Sequence, residues 1–327
     1  MPECSYCPNS VWQHSTGYDL MEKQPLLLLG PLMPYLTEEL EKRYTIEKLY
    51  EETDALGFLQ QNAERFRAAV TSTFTGLKAD MIDLLPALEI VSSFGVGTDS
   101  LDIAYAETKG IKIANTPDVL NEDTANMAIT LLLAATRDIV ANDRFVREGR
   151  WTRGETPPLA LGIEGKKIGL VGLGRIGSVI ARKLTAFGCE VVYHTRNKKH
   201  DVSYEHYQDL VEMARRCSAV IAILPGGDAT KGVISRDVLQ ALGPEGTFVN
   251  IARGTVVDET ALVELLQSGE LGRAGLDVFV DEPNAPEALF ALNNVVLQPH
   301  MGSATVETRK AMADRVVSNL DNYFSTK

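Results

Sequence analysis

Three ionisable side chains late in the chain stand where strand-like runs end. Arg253 follows one such run in Asn250-Ile251-Ala252-Arg253-Gly254. Glu282 closes a second, in Gly275 to Phe279 and then Asp281-Glu282-Pro283. His300 ends a third, in Leu297-Gln298-Pro299-His300-Met301-Gly302. A histidine supported by a carboxylate keeps its proton to higher pH and can serve as a general acid near neutrality. A guanidinium binds a carboxylate in a bidentate manner and polarises a carbonyl oxygen. Together these are the parts needed to protonate an alkoxide as hydride adds to a keto group. Singly, each is only a charge at a strand end. Among the other histidines, His14, His200 and His206 lie in polar, irregular surroundings with no partner in view, and His194 falls on a strand.

A hydride source is implied in mid-chain. Lys166 to Val171 is an apolar strand, followed by Gly172-Leu173-Gly174-Arg175-Ile176-Gly177 and a helical stretch. In such a unit the first glycine makes a tight turn, the second lets a pyrophosphate approach the backbone, and the third packs helix on strand. The free N–H groups of the helix N-terminus then face the anion. An acidic residue is expected near the end of the next strand, about 20 residues on, to bind the ribose hydroxyls of NAD. Here Glu190 to Tyr193 is followed by His194-Thr195-Arg196-Asn197-Lys198-Lys199, with no carboxylate. Arg196, with Thr195 and Lys198 beside it, suits a 2′-phosphate instead. The expected cofactor is NADP(H), with NAD(H) as a second possibility.

The elements that must position these residues alternate between strand and helix, which implies parallel sheets with helices on both faces. Strands are predicted at Pro25 to Gly30, Ala68 to Phe74, Glu89 to Phe94 and Ile111 to Ala114. Helical stretches are expected over Thr37 to Tyr44 and Ala79 to Ala87, and a single long helix from Asn121 to about Arg147. Gly149 to Gly165 reads as a loop carrying Trp151. Later strands are expected at Ala219 to Leu224, Thr247 to Ile251 and Val295 to Leu297. A final helix, Val306 to about Phe324, has no strand after it and needs a surface for Met312, Val316 and Leu320; the first domain is the expected surface. The fold class is therefore α/β, with two doubly wound parallel sheets.

At 327 residues the chain is long enough for two domains, and its 45% hydrophobic and 23% charged content is that of a globular protein. A net charge of −12 argues against nucleic acid as a partner. No apolar run approaches the roughly 20 residues of a membrane span. Cys4-x-x-Cys7 is half a zinc pattern with no second half, so no metal is expected and an irregular N-terminal arm is the preferred reading. Cys189 and Cys217 fall in apolar segments as buried thiols. Neither cysteine usage nor the N-terminus asks for export, so cytoplasm is the expected compartment.

From about Pro25 onward the chain resembles the D-isomer-specific 2-hydroxyacid dehydrogenases. The likeness rests on Val171 to Gly177, Asn250 to Gly254, Gly275 to Phe279, Asp281 to Pro283 and Pro299 to Ser303. Within that family, Tyr193-His194-Thr195-Arg196 and Asn294 to Arg309 are most similar to NADPH-linked glyoxylate/hydroxypyruvate and hydroxyphenylpyruvate reductases. The resemblance implies a flavodoxin-like substrate domain, 1–117 plus 303–327, and a Rossmann cofactor domain, 118–302. It implies His300 as general acid, Glu282 as its orienting partner and Arg253 as the group that holds the substrate carboxylate. It places the backbone N–H groups of Val96 and Gly97 on that carboxylate, Asp277 on the nicotinamide amide, and Thr124 near the cofactor. Leu173, Arg175, Ile176, Leu224, Pro225, Ile251, Ala252 and Gly302 complete the cofactor contacts. The implied reaction is reduction of a 2-oxo acid by a homodimer. Where the family has an apolar-Pro-Leu-Thr segment, this chain has Leu224-Pro225-Gly226-Gly227-Asp228, expected to loosen the adenine-side loop. Glu282 argues against a formate dehydrogenase, in which Gln is expected. The short tails argue against a dinucleotide-sensing co-repressor, and His194 and the absent regulatory extension against a phosphoglycerate dehydrogenase. Leu29-Gly30-Pro31, Phe74-Thr75-Gly76 and Trp151 are further candidates to line the substrate pocket.

Overall fold

The computed structural model describes residues 23–326, so the Cys4/Cys7 pair, the N-terminal arm and His14 lie outside it. The first sheet holds β1 (Pro25–Leu28), β2 (Thr45–Lys48), β3 (Ala68–Ser72), β4 (Ile90–Phe94) and β5 (Lys112–Ala114). All pair in parallel, in the order β2-β1-β3-β4-β5, which is the flavodoxin-like winding. Strand residues alternate between faces. Leu26 and Leu28 therefore pack with Leu36, Leu40, Val316 and Leu320, while Leu27 packs on the other face with Leu59, Phe66, Leu85 and Val91. Both faces are covered, which is why β1 reads as an uninterrupted apolar run.

The second sheet holds β6 (Lys167–Val171), β7 (Glu190–His194), β8 (Glu205–His206), β9 (Ala219–Ala222), β10 (Thr247–Asn250), β11 (Arg273–Leu276) and β12 (Val295–Leu297). Its order, β12-β11-β10-β9-β6-β7-β8, is all parallel and carries the Rossmann reversal between β6 and β9. The edge strands β2 and β8 were not foreseen. Thr45-Ile46-Glu47-Lys48 is polar and only half-buried, and β8 is two residues long, so neither carries an apolar signature.

The single long helix expected from Asn121 is two helices, Asn121–Thr136 and Ile139–Arg147, bent by 58°. Asp138 takes a left-handed backbone at the break (φ 50°), and its carboxylate accepts two hydrogen bonds from Arg273 at 3.0 and 3.2 Å. That buried-side anchor turns the chain, which composition alone does not reveal. The first of the two helices packs on β10 and β11. An added Cβ at Gly275 would stand 2.9 Å from Leu131 Cβ, so the glycine permits the close approach.

The terminal helix, Val306–Ser325, lies on the first sheet as expected. Asn319 Nδ2 donates to Ser92 Oγ at 3.1 Å and to the Asn115 carbonyl at 3.0 Å. Fully buried Val316 and Leu320 each contribute on the order of 1.5–3 kcal/mol to this docking. The two chain crossings between sheets are tied together. Asp123, at the start of one helix, accepts from Thr305 Oγ1 and Thr308 Oγ1 at the start of the other, at 2.5 and 2.6 Å.

Candidate active site

Because every strand is parallel, the residues that follow them gather at the carboxyl edge, where ligands bind in such sheets. Arg253 follows β10, Asp277 follows β11, and His300 follows β12. Gly95, Val96 and Gly97 follow β4 of the other sheet. The two edges face each other across a cleft of about 490 Å³.

His300 has an unusual backbone, φ 54°, rare for a residue with a side chain. Asp277 holds it there. The Asp277 carbonyl accepts from His300 N at 2.8 Å, and its two carboxylate oxygens accept from Met301 N at 2.6 Å and Gly302 N at 2.9 Å. Burial pushes the Asp277 carboxyl above its ordinary range, against the pull of these N–H groups and of His300. Each of its oxygens keeps a lone pair beyond those two bonds.

The His300 ring donates from Nδ1 to Glu282 Oε2 at 2.7 Å, and Glu282 Oε1 accepts from Phe279 N at 3.1 Å. Glu282 is thus fixed at both oxygens. Burial raises its pKa, but the hydrogen bond and charge of His300, the Phe279 N–H and the charge of Arg253 outweigh it, and the carboxyl lies below its ordinary value. With Nδ1 committed, Nε2 is the nitrogen available to a ligand, and His300 lines the cleft. The Phe74 ring meets the imidazole edge-on at 5.1 Å. Behind the pair lies a second cavity of about 400 Å³, walled by Phe279, Pro283, Phe290 and Leu297.

Arg253 is set by the turn before it. Buried Asn250 accepts from Ala252 N at 3.0 Å and donates to the Arg253 carbonyl at 2.9 Å. The guanidinium donates from Nε to Asp99 Oδ2 at 3.2 Å and from Nη1 to the Ala252 carbonyl at 2.7 Å. It lies directly over Gly97, where an added Cβ would come within 1.7 Å of Nη2. Gly226, expected only to loosen the adenine-side loop, faces the same pair. A Cβ there would stand 2.8 Å from Arg253 Cγ and 3.1 Å from Asp99.

The glycine turn is built as its spacing implies. Gly172 has φ 103°, and a Cβ on it would meet the Ile223 carbonyl oxygen at 2.6 Å. A Cβ on Gly177 would come within 2.5 Å of the Gly172 carbonyl oxygen, whereas a Cβ on Gly174 would meet nothing within 4 Å. No side chain caps the helix Arg175–Ala186 that follows. An open glycine and uncapped N–H groups are a cradle a pyrophosphate fits. Beyond β7, Arg196 and Lys198 are exposed and have no ion-pair partner among the described residues, while the Thr195 hydroxyl donates to the Asn197 carbonyl at 2.7 Å. His206, which offered no partner in the sequence, bonds the Thr195 carbonyl through Nε2 at 3.0 Å, and His194 Nδ1 bonds the Tyr207 carbonyl at 3.0 Å.

The cleft brings together most of the residues singled out from sequence. Val96, Gly97, Thr124, Gly174, Arg175, Ile176, Gly177, Leu224, Pro225, Ile251, Ala252, Arg253, Asp277, His300 and Gly302 all line it. Gly172 lies beneath it in the turn, Leu173 is buried in the core, and Glu282 stands behind His300 in the second cavity. Thr195, Arg196 and Lys198 lie beyond its end. Pro31 and Phe74 reach the cleft, but Leu29, Gly30, Thr75 and Gly76 do not, and Trp151 is 69% exposed away from it. Asp99, Phe94 and Arg309 line it without having been foreseen. Asp99 is 154 positions from the arginine it meets, and no local pattern reports such a contact. Among the described residues no cluster of side chains could hold a metal ion.

Known proteins share this fold. Residues 129–302 match the D-isomer specific 2-hydroxyacid dehydrogenase, NAD binding domain. The chain is 46% identical to hydroxyphenylpyruvate reductase of Plectranthus scutellarioides, over 94% of this chain and 98% of that one. It is 45% identical, with the same coverage, to a glyoxylate/hydroxypyruvate reductase of Arabidopsis thaliana. Among solved structures, the NADPH-dependent glyoxylate/hydroxypyruvate reductase of Sinorhizobium meliloti, in complex with NADP and malonate, superposes with a TM-score of 0.87. It is 42% identical over 93% of this chain and 95% of that one.

Proposed function

This chain belongs to the D-isomer-specific 2-hydroxyacid dehydrogenase family, and on that premise we propose that it reduces a 2-oxo acid to the D-2-hydroxy acid with NADPH. The observation that carries the proposal is the 2.7 Å bond from His300 Nδ1 to Glu282, in a cleft shared with Arg253 and the open Gly174 turn. Gly174 and the uncapped helix would hold the pyrophosphate, with Thr124, Leu224, Pro225, Ile251, Ala252 and Gly302 as walls and Asp277 toward the nicotinamide. When bound, NADPH would supply the hydride that C2 of the oxo acid accepts. Val96 and Gly97 N–H groups and Arg253 bind the substrate carboxylate, and Arg253 polarises the keto oxygen. His300 donates its Nε2 proton to that oxygen, while Glu282 holds the ring and offsets its charge before transfer. A positioned general acid of this kind accelerates by about 10²–10⁴.

The phosphorylated cofactor is favoured because Arg196 and Lys198 follow β7 with no carboxylate among them. The NADP complex of the Sinorhizobium meliloti relative supports the same choice. The names of the relatives point to glyoxylate, hydroxypyruvate or hydroxyphenylpyruvate as substrates. A homodimer is favoured by exposed apolar Ile139, Val140, Val146, Trp151 and Leu159 around the bent helix pair.

The test is oxidation of NADPH, against NADH, with glyoxylate, pyruvate, hydroxypyruvate, oxaloacetate and hydroxyphenylpyruvate. At least one should be reduced with NADPH preferred, and His300→Ala should abolish most of that rate. An enzyme inert toward the whole panel, or indifferent to His300→Ala, refutes the proposal.

A further inference from the structure

Arg309 is a cation in the cleft that the reaction outlined above does not use. It stands in the first turn of the terminal helix, its N–H bonded to the carbonyl of the N-cap Thr305 at 2.9 Å. Its side chain lines the cleft beside Phe94, Gly95 and Met312. The guanidinium carbon lies 5.7 Å from the centre of the Phe94 ring, and no acceptor takes any of its N–H groups among the described residues. Arg253 differs, being held by Asp99 and the Ala252 carbonyl. Burial holds the Arg309 pKa below its ordinary value, and the charge of Asp277 offsets only part of that.

A half-buried guanidinium with unfilled donors is unfavourable in the free protein. Its donors form a planar fork that matches a ligand oxygen or carboxylate. The position decides which part of a ligand it meets. Arg253 presses on Gly97, at one end of the Gly95-Val96-Gly97 turn. Arg309 enters over Phe94, at the other end. A second guanidinium crowded onto the same carboxylate as Arg253 would add like-charge repulsion, whereas separate ends of the turn avoid it.

We propose that Arg309 binds the oxygen-bearing group on C3 of the 2-oxo acid, opposite its carboxylate, and so selects side chains ending in a hydroxyl or carboxylate over a methyl. The inference rests on the reductase reading above and deepens it. It is tested with Arg309→Met and Arg309→Lys, using NADPH with glyoxylate (no C3), pyruvate (methyl), hydroxypyruvate (hydroxymethyl) and oxaloacetate (carboxymethyl).

The wild type should favour hydroxypyruvate or oxaloacetate over pyruvate. Arg309→Met should raise KM for those two by about 10–100-fold, the range of a hydrogen bond to a charged group. Glyoxylate and pyruvate should change by less than about twofold, and Arg309→Lys should fall between. The Tm of Arg309→Met should equal or exceed that of the wild type, because a half-buried charge with no hydrogen-bond acceptor among the described residues leaves the cleft. Equal losses on all four substrates, no loss on any, a wild type that favours pyruvate, or a lowered Tm with uniform loss each overturn the assignment. A wild type inactive on the full panel refutes the reductase reading instead, so the two failures are told apart.

Discussion

Replacing Glu282 with Gln probes the proposed acid directly. The side chain keeps its shape but loses its charge, and its two ends become unlike. Glu282 now accepts from both His300 Nδ1 and Phe279 N. An amide can offer its oxygen to only one of them, leaving an NH₂ group against the other donor. Both side chains are about three-quarters buried, at 26% and 22% exposure, so solvent screening is partial. Two unit charges about 4 Å apart attract by ~4 kcal/mol at an effective dielectric of 20, an upper figure for His300 protonated beside Glu282. A net value of about 1.5–3 kcal/mol for a hydrogen bond to a charged group is the better guide. That corresponds to about a 10–100-fold factor in rate.

kcat/KM for oxo-acid reduction should therefore fall in Glu282→Gln, because the ring loses the carboxylate that fixes Nδ1 and balances its charge. At neutral pH the rate should fall by about 10–100-fold, with little change in KM for NADPH. The assay is NADPH oxidation across the pH range in which both proteins stay folded. A stability readout runs alongside. The folded pKa of Glu282 is below its ordinary value of 4.5, so its contribution is present above that value and lost as pH falls through the folded pKa. The gap in Tm between wild type and variant should thus close in acid. A loss that appears in KM for the oxo acid rather than in kcat would place Glu282 in substrate binding and not in the proton transfer. An unchanged rate would remove it from the mechanism.

Gly97→Ala should act through Arg253, since its Cβ would come within 1.7 Å of Nη2. Displacing the guanidinium by about 1 Å should cost on the order of 10²-fold in kcat/KM with little change in Tm, because a flexible side chain rather than backbone must move; a normal kcat/KM would show that Arg253 does not work from this position. Arg196→Gln should raise KM for NADPH by about 10-fold or more, from loss of a charge-assisted hydrogen bond, and leave KM for NADH unchanged. Equal effects on both cofactors would mean that Arg196 does not read the 2′-phosphate.

The parts of the site that depend on local backbone were legible in residue order. Gly172, Gly174 and Gly177 are where a turn, an open approach and a tight packing contact each exclude a side chain. Arg253, Asp277 and His300 follow apolar runs, and parallel winding brings all strand ends to one edge. The absence of an acid after β7 is likewise a local fact. Polar edge strands left no such trace, and neither did the 58° break at Asp138, which depends on Arg273 far along the chain.

By itself, then, the order of residues determined the two sheets, the candidate phosphate cradle and the candidate acid, because each rests on short-range periodicity or on one residue's conformational freedom. Only the tertiary structure decided which groups meet across the cleft. Asp99 reaches Arg253, Phe74 touches His300, and Arg309 stands over Phe94 with no hydrogen-bond acceptor among the described residues. Those pairings are set by how the carboxyl edges of two separately folded sheets face each other, and by a terminal helix that returns to the first sheet carrying a charge into the gap.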